Sequence, residues 1–143
     1  MNKVILTPPA QGGCQCGAVR YEITGEPVNF YACHCTECRK QSASAFGLSV
    51  ITRREDFELL QGEIKAWTRP TDSGGMLTCW FCPVCGTRLW HENDGTSETI
   101  SVKGGSLDSP PDMSQAGHLW TKSALPGVPI PARAWQYSSQ PEK

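Results

Sequence analysis

The sequence predicts a mainly β fold of one domain, stapled by metal-bound cysteines. Three observations predict it. Short segments of alternating polar and apolar residues recur along the chain, punctuated by glycine. The 143 residues are most simply one domain with a modest core. All eight cysteines fall into three tight groups: Cys14-x-Cys16, Cys33-x-Cys35-x-x-Cys38 and Cys79-x-x-Cys82-x-x-Cys85.

The elements follow in order. Residues 1–12 read as a loose lead-in, because Pro8-Pro9 and Gly12-Gly13 disfavour regular structure. Val19, Tyr21 and Ile23 then alternate with Arg20 and Glu22, as on a half-buried strand, and Gly25-Glu26-Pro27 turns it. Residues 28–33 read as a second strand that delivers the central cysteines at its end. Residues 36–44 are short, polar and compatible with one or two helical turns. Further strands are expected over 46–51, 58–60, 64–69, 76–81, 87–92 and 98–103, with one more over 117–120. Pro126, Pro129 and Pro131 exclude a long helix near the end, and residues 136–143 read as a frayed tail. The expected domain spans 13–135.

Charge and hydropathy exclude several classes. The net charge is −1, and the basic clusters are only Arg39-Lys40 and Arg53-Arg54, which argues against nucleic-acid backbone binding. No apolar run approaches the ~20 residues of a membrane span. The apolar run in Met1–Pro9 is shorter than the roughly 7–15 residues of a secretory core. A soluble, cytoplasmic protein is the expectation, and there an even set of closely spaced cysteines reads as metal ligands rather than disulfides.

The ligands divide in two ways. In one, Cys14, Cys16, Cys82 and Cys85 close a four-thiolate site, Cys33, Cys35 and Cys38 form an open three-thiolate site, and Cys79 is a small buried apolar residue. In the other, Cys79 completes the central set and both sites are closed. The glycines beside Cys14-x-Cys16 and Cys82-Pro83-x-Cys85-Gly86 suit knuckle turns whose amides face the thiolates, favouring the first division.

Gly13-Cys14-x-Cys16-Gly17-Ala18-Val19-Arg20-Tyr21, Cys33-His34-Cys35-x-x-Cys38-Arg39 and Phe81-Cys82-Pro83-x-Cys85-Gly86-Thr87 resemble, in this order, the glutathione-dependent formaldehyde-activating family, which includes the centromere protein V type of domain. The resemblance runs from about Gly13 to Trp135. It implies a mainly antiparallel β fold, a β-tent, and two zinc ions. It implies a structural zinc on Cys14, Cys16, Cys82 and Cys85, and a catalytic zinc on Cys33, Cys35 and Cys38. It implies carbon–sulfur lyase chemistry on adducts of a small thiol and an aldehyde, such as glutathione and formaldehyde. Cys79 and Trp80 depart from the pattern of many members.

An open zinc can lower the pKa of a bound thiol or polarise an aldehyde oxygen. Besides the central cysteines, His34 and Arg39 are the candidate catalytic residues. His34 is a base or a packing residue turned away from the metal. Arg39 holds a substrate carboxylate or offsets the thiolate charge. Glu37, Lys40, Arg53 and Arg54 read as solvated charge, Trp67, Trp80, Trp90 and Trp120 as core or site wall, and His91 and His118 as structural residues that could line the site. The alternatives to an enzyme are a zinc-binding interaction module and a thiol redox switch.

Overall fold

The computed structural model describes residues 4–93, 97–109 and 111–140. Among these, ten strands form two sheets. The smaller contains β1 (Ala10–Gly13), β2 (Arg20–Ile23) and β5 (Phe57–Gln61), in the order β1-β2-β5. The larger contains β3 (Asn29–Cys33), β4 (Gly47–Arg53), β6 (Lys65–Pro70), β7 (Met76–Phe81), β8 (Arg88–Asn93), β9 (Thr99–Lys103) and β10 (Gly117–Leu119). Its order is β10-β3-β4-β9-β8-β7-β6. The one α-helix among the described residues, α1 (Thr36–Ser42), follows β3 and packs on β4. The mainly β expectation holds.

The alternation read in the sequence decides which faces meet. Val19, Tyr21 and Ile23 are fully buried, and they share one core with Phe30, Val50, Leu89 and Val102 of the larger sheet. The small sheet therefore covers one face of the large one. Tyr21 is fixed within this core, its hydroxyl 2.6 Å from Ser106 Oγ and its ring stacked on Phe57 at 5.3 Å.

Residues on either side of Val50 and Val102 face the other way, because side chains alternate along a strand. The register extends that second face across the sheet: Ser49 opposes Lys103, Ser101 opposes His91, His91 opposes Cys79, and Cys79 opposes Trp67. The central cysteine segment is carried over β4 by α1. A side-chain carbon at Gly47 would lie 3.2 Å from Cys38 Cβ, so glycine permits the helix to sit this close.

Two expectations need correction. Ala10, Gln11 and Gly12, expected as part of a lead-in without regular structure, form β1 with Gly13 and pair with β2. The close approach of Gly12 to the Tyr21 ring leaves no room for a side chain there, so the glycine serves the strand instead of breaking it. Residues 136–139, expected to fray, are bonded to the chain. Tyr137 N–H donates to His118 O at 2.9 Å, and Thr121 N–H donates to Tyr137 O at 3.1 Å. The large sheet is mainly antiparallel, as expected, with β10 joining β3 in parallel at its edge. Residues 1–3 of the lead-in and 141–143 of the tail lie outside the described residues.

Candidate metal centres and active site

Two groups of cysteine sulfurs form. Cys14, Cys16, Cys82 and Cys85 have their sulfurs within 4.8 Å of one another, and so do Cys33, Cys35 and Cys38. Cys79 belongs to neither group. Sulfurs bound at ~2.3 Å to a tetrahedral ion stand about 3.8 Å apart. Cys14 and Cys16 are 3.6 Å apart and Cys16 and Cys82 are 3.8 Å apart, far beyond the ~2.05 Å of a disulfide. All eight cysteines are free. Both groups can therefore hold a metal ion, and their all-sulfur donor sets suit zinc.

The four-sulfur group is built by two turns that touch. The Cys14 turn closes through Gly17 N–H to Cys14 O at 3.1 Å, and the Cys82 turn through Gly86 N–H to Cys82 O at 2.9 Å. Gly17 and Gly86 both have positive φ, which glycine takes without strain. Each turn aims amides at sulfur: Val19 N–H donates to Cys14 Sγ at 3.2 Å, and Val84 N–H to Cys82 Sγ at 3.4 Å. Burial raises the Cys14 pKa, but the Val19 amide and the Cys16 and Cys82 thiols bring it below the usual value. The Thr87 hydroxyl, 3.2 Å from Cys85 Sγ, holds that thiol down at about 5. These are the means by which a protein stabilises thiolates for a cation.

The three-sulfur group sits at the end of β3 and the start of α1. Cys35 is the N-cap of α1, and its sulfur accepts from Cys38 N–H at 3.3 Å. The neighbouring Cys33 and Cys38 thiols, with the Cys38 and Glu37 amides, hold Cys35 at about 2. Cys33 is pushed well up, first by Cys35 and then by Cys38 and burial. Three sulfurs this close cannot all ionise without a cation between them.

Two cavities flank this group. One, of about 250 Å³, is lined by Glu37, Lys40, Gln41, Trp67, Arg69, Leu77, Cys79 and Arg88. The other, a groove of about 680 Å³, runs from Cys14 and Cys85 past Arg88 to Gln41, Gly47 and Lys103. None of the three central cysteines lines either cavity. Gln41 lines both, and its Nε2 reaches Cys38 Sγ at 3.8 Å, so it connects the cavity walls to the three-sulfur group.

The remaining candidates fall in different places. His34 is fully buried, with Nε2 2.9 Å from His118 Nδ1 and its ring 5.2 Å from Phe46. Burial and the His118 charge lower its pKa. His34 lines neither cavity. Arg39 also lines neither, and its buried Nε has no hydrogen-bond partner. Glu37 pairs with Arg69 at 3.7 Å. Trp80 and Trp90 stack at 5.7 Å, whereas Trp67 is half exposed beneath the Arg88 guanidinium.

Sequence reading missed Lys103 and gave His91 no firm role. Lys103 is 8% exposed, and burial lowers its pKa against the pull of Cys38, Cys33 and Cys79. His91 is driven down to about 3 by burial and then by the Lys103, Arg69 and Arg88 charges. The pairing of β8 and β9 brings these groups together. A lysine ending an alternating strand carries no local mark of burial, so only that pairing could have found it.

The family model described as glutathione-dependent formaldehyde-activating enzyme matches residues 9–123. The chain belongs to this family. Both cysteine groups lie inside the match, as does β1, while residues 124–140 continue beyond it. The glutathione-dependent formaldehyde-activating fold seen here is also similar to the crystal structure of a Rhodobacter sphaeroides protein. That chain is 21% identical, with a TM-score of 0.54 over 89% of this chain and 98% of the other. The likeness concerns the fold. No helix among the described residues is long and apolar enough to cross a membrane.

Proposed function

We propose that this protein is a zinc-dependent carbon–sulfur lyase acting on adducts of an aldehyde and a small thiol, with glutathione and formaldehyde as the founding pair. One observation carries the reading: the central set has three sulfurs, with Cys79 outside it. A closed site needs four protein ligands, and a reactive one keeps a position for substrate. In this reading Cys14, Cys16, Cys82 and Cys85 hold a structural zinc, and Cys33, Cys35 and Cys38 a catalytic one.

A zinc ion on the three sulfurs would supply positive charge that favours thiolate over thiol near neutral pH. The residues around it do the rest. Gln41 moves aside or turns its amide to admit the thiol. Arg88 and Arg69, beside Trp67, offer guanidinium donors to the carboxylates of a glutathione-like thiol. His34 and His118 brace β3 and β10 behind the sulfurs. Arg39 offsets the charge of three thiolates. In the synthetic direction the thiol sulfur forms a bond to the aldehyde carbon. The C=O π pair moves to oxygen, and oxygen takes up a proton equivalent to the one the thiol gave up. Cleavage is the reverse, and no electron donor or acceptor is needed.

The test is NMR exchange between formaldehyde, glutathione and S-hydroxymethylglutathione with and without the zinc-loaded protein. Acceleration that disappears in Cys38→Ser, with one zinc retained and the fold intact, is the expected result. Two firmly held zinc ions and no acceleration would instead favour an interaction module.

A further inference from the structure

We propose that Lys103 is the hydrogen-bond donor to the substrate oxygen at the Cys33/Cys35/Cys38 site. This rests on the carbon–sulfur reading above and adds a residue to it.

Placement comes first. A side-chain carbon at Gly47 would lie 3.2 Å from Cys38 Cβ and 3.6 Å from Lys103 Nζ. The amine and the Cys38 side chain thus both close on Gly47 of β4. Lys103 also lines the larger groove, together with Gln41, Gly47 and Arg88. It is therefore available to a molecule that enters past Gln41.

Satisfaction comes second. The large majority of buried side-chain polar atoms are hydrogen-bonded. Lys103 Nζ is buried and has no hydrogen-bond partner, and the same is true of His91 Nδ1 and Ser101 Oγ. Ser101 directly opposes His91, and Lys103 lies two residues along the same face. Three orphans on one patch, under one reactive segment, mark a surface whose partners arrive with a ligand.

A lysine retained only to balance thiolate charge would be expected to donate to a sulfur. Lys103 Nζ donates to no sulfur. What a thiol–aldehyde reaction needs opposite its sulfur is a donor for oxygen, because the C=O pair moves there as the C–S bond forms. An ammonium and a neutral amine both donate, so the role does not depend on the charge state of Lys103. Ser101 Oγ and His91 Nδ1 complete a polar floor on which the adduct hydroxyl can settle.

The experiment compares native protein with Lys103→Met and Lys103→Gln, all zinc-loaded. Removing one donor to a developing oxyanion costs about 10²–10³-fold in rate, and Lys103→Met should lose that much kcat/KM. Lys103→Gln keeps an N–H of shorter reach and should recover part of the rate. Zinc content should match the native protein, and Tm should be equal or higher, because an unpartnered buried amine has been removed. Affinity for glutathione should be unchanged, while affinity for S-hydroxymethylglutathione falls about tenfold, the loss of one hydrogen bond. A readout on the native protein needs no variant: the ¹⁵N signal of the Lys103 side chain should shift with S-hydroxymethylglutathione and not with glutathione alone.

Equal rates for native and Lys103→Met would overturn the proposal. So would loss of zinc from the central site in Lys103→Met, which would make the lysine a charge-balancing residue. So would an unmoved ¹⁵N signal. Absence of turnover in the native protein is a separate result, and it would defeat the carbon–sulfur reading itself.

Discussion

Cys14, Cys16, Cys82 and Cys85 draw their sulfurs from two segments, with Cys16 and Cys82 66 residues apart, whereas Cys33, Cys35 and Cys38 come from one strand end and the first turn of one helix. The first group joins the β1–β2 region to the β7–β8 turn, and so ties the small sheet to the far part of the large one. The second joins nothing distant. A cross-link between remote segments removes far more freedom from the unfolded chain than one within a turn. Metal at the first group acts on the whole fold, and metal at the second acts on its immediate surroundings. That difference frees the second group to exchange a ligand without endangering the structure.

The strongest test of this contrast is Cys82→Ser. A structural zinc contributes on the order of 10 kcal/mol in zinc-finger peptides, comparable with the roughly 5–15 kcal/mol of net stability of a whole domain. The variant should lose its cooperative thermal transition. A native-like melt for Cys82→Ser would contradict a whole-fold role for the four-sulfur group. Cys38→Ser should behave in the opposite way, losing half the bound zinc and adduct turnover while Tm falls by only a few degrees. Metal analysis with calorimetry reads both, and equal unfolding by the two variants would erase the distinction.

A smaller effect concerns the stitching around the first group. Burial, opposed by the Ser106 hydroxyl, pushes Tyr21 up to about 12. The protonated form is the one the fold favours. Its stabilisation is complete below the unfolded value near 10 and is lost as pH rises through about 12. Two units correspond to about 2–3 kcal/mol, so chemical denaturation from pH 9 to 12 should show a loss of that order. The loss should be absent in Tyr21→Phe. Smallest is Cys79→Ala. Cys79 is buried and outside both sulfur groups, so the change should leave zinc content unaltered and cost about 1 kcal/mol for the small cavity. Loss of zinc from Cys79→Ala would instead make the central site a closed, four-cysteine one.

The sulfur groups were legible because ligand spacing is local. Two residues between Cys82 and Cys85, with Gly86 after them, dictate a turn whatever the rest of the chain does. The strands were legible where one face is buried, as at Val19, Tyr21 and Ile23. Reading failed where a residue's role is set by a distant partner. Gly12 resembles a breaker until Tyr21 is placed against it. Tyr137 resembles a tail residue until β10 is found at an open sheet edge. Lys103 resembles a solvated strand end until Gly47 and Cys38 are set beside it.

The parallel strand β10 has one more consequence, for the order of assembly during synthesis. Its Leu119 carbonyl accepts from His34 N–H at 2.9 Å, between two of the central cysteines, and residues 135–139 bond to its outer edge. Chains emerge from the ribosome N-terminal end first. All four ligands of the first group are available once Cys85 is out, but the brace behind Cys33 and Cys35 is completed only by residues near the end of this sequence. The four-sulfur group can therefore assemble on a growing chain, while the three-sulfur group takes its final shape later.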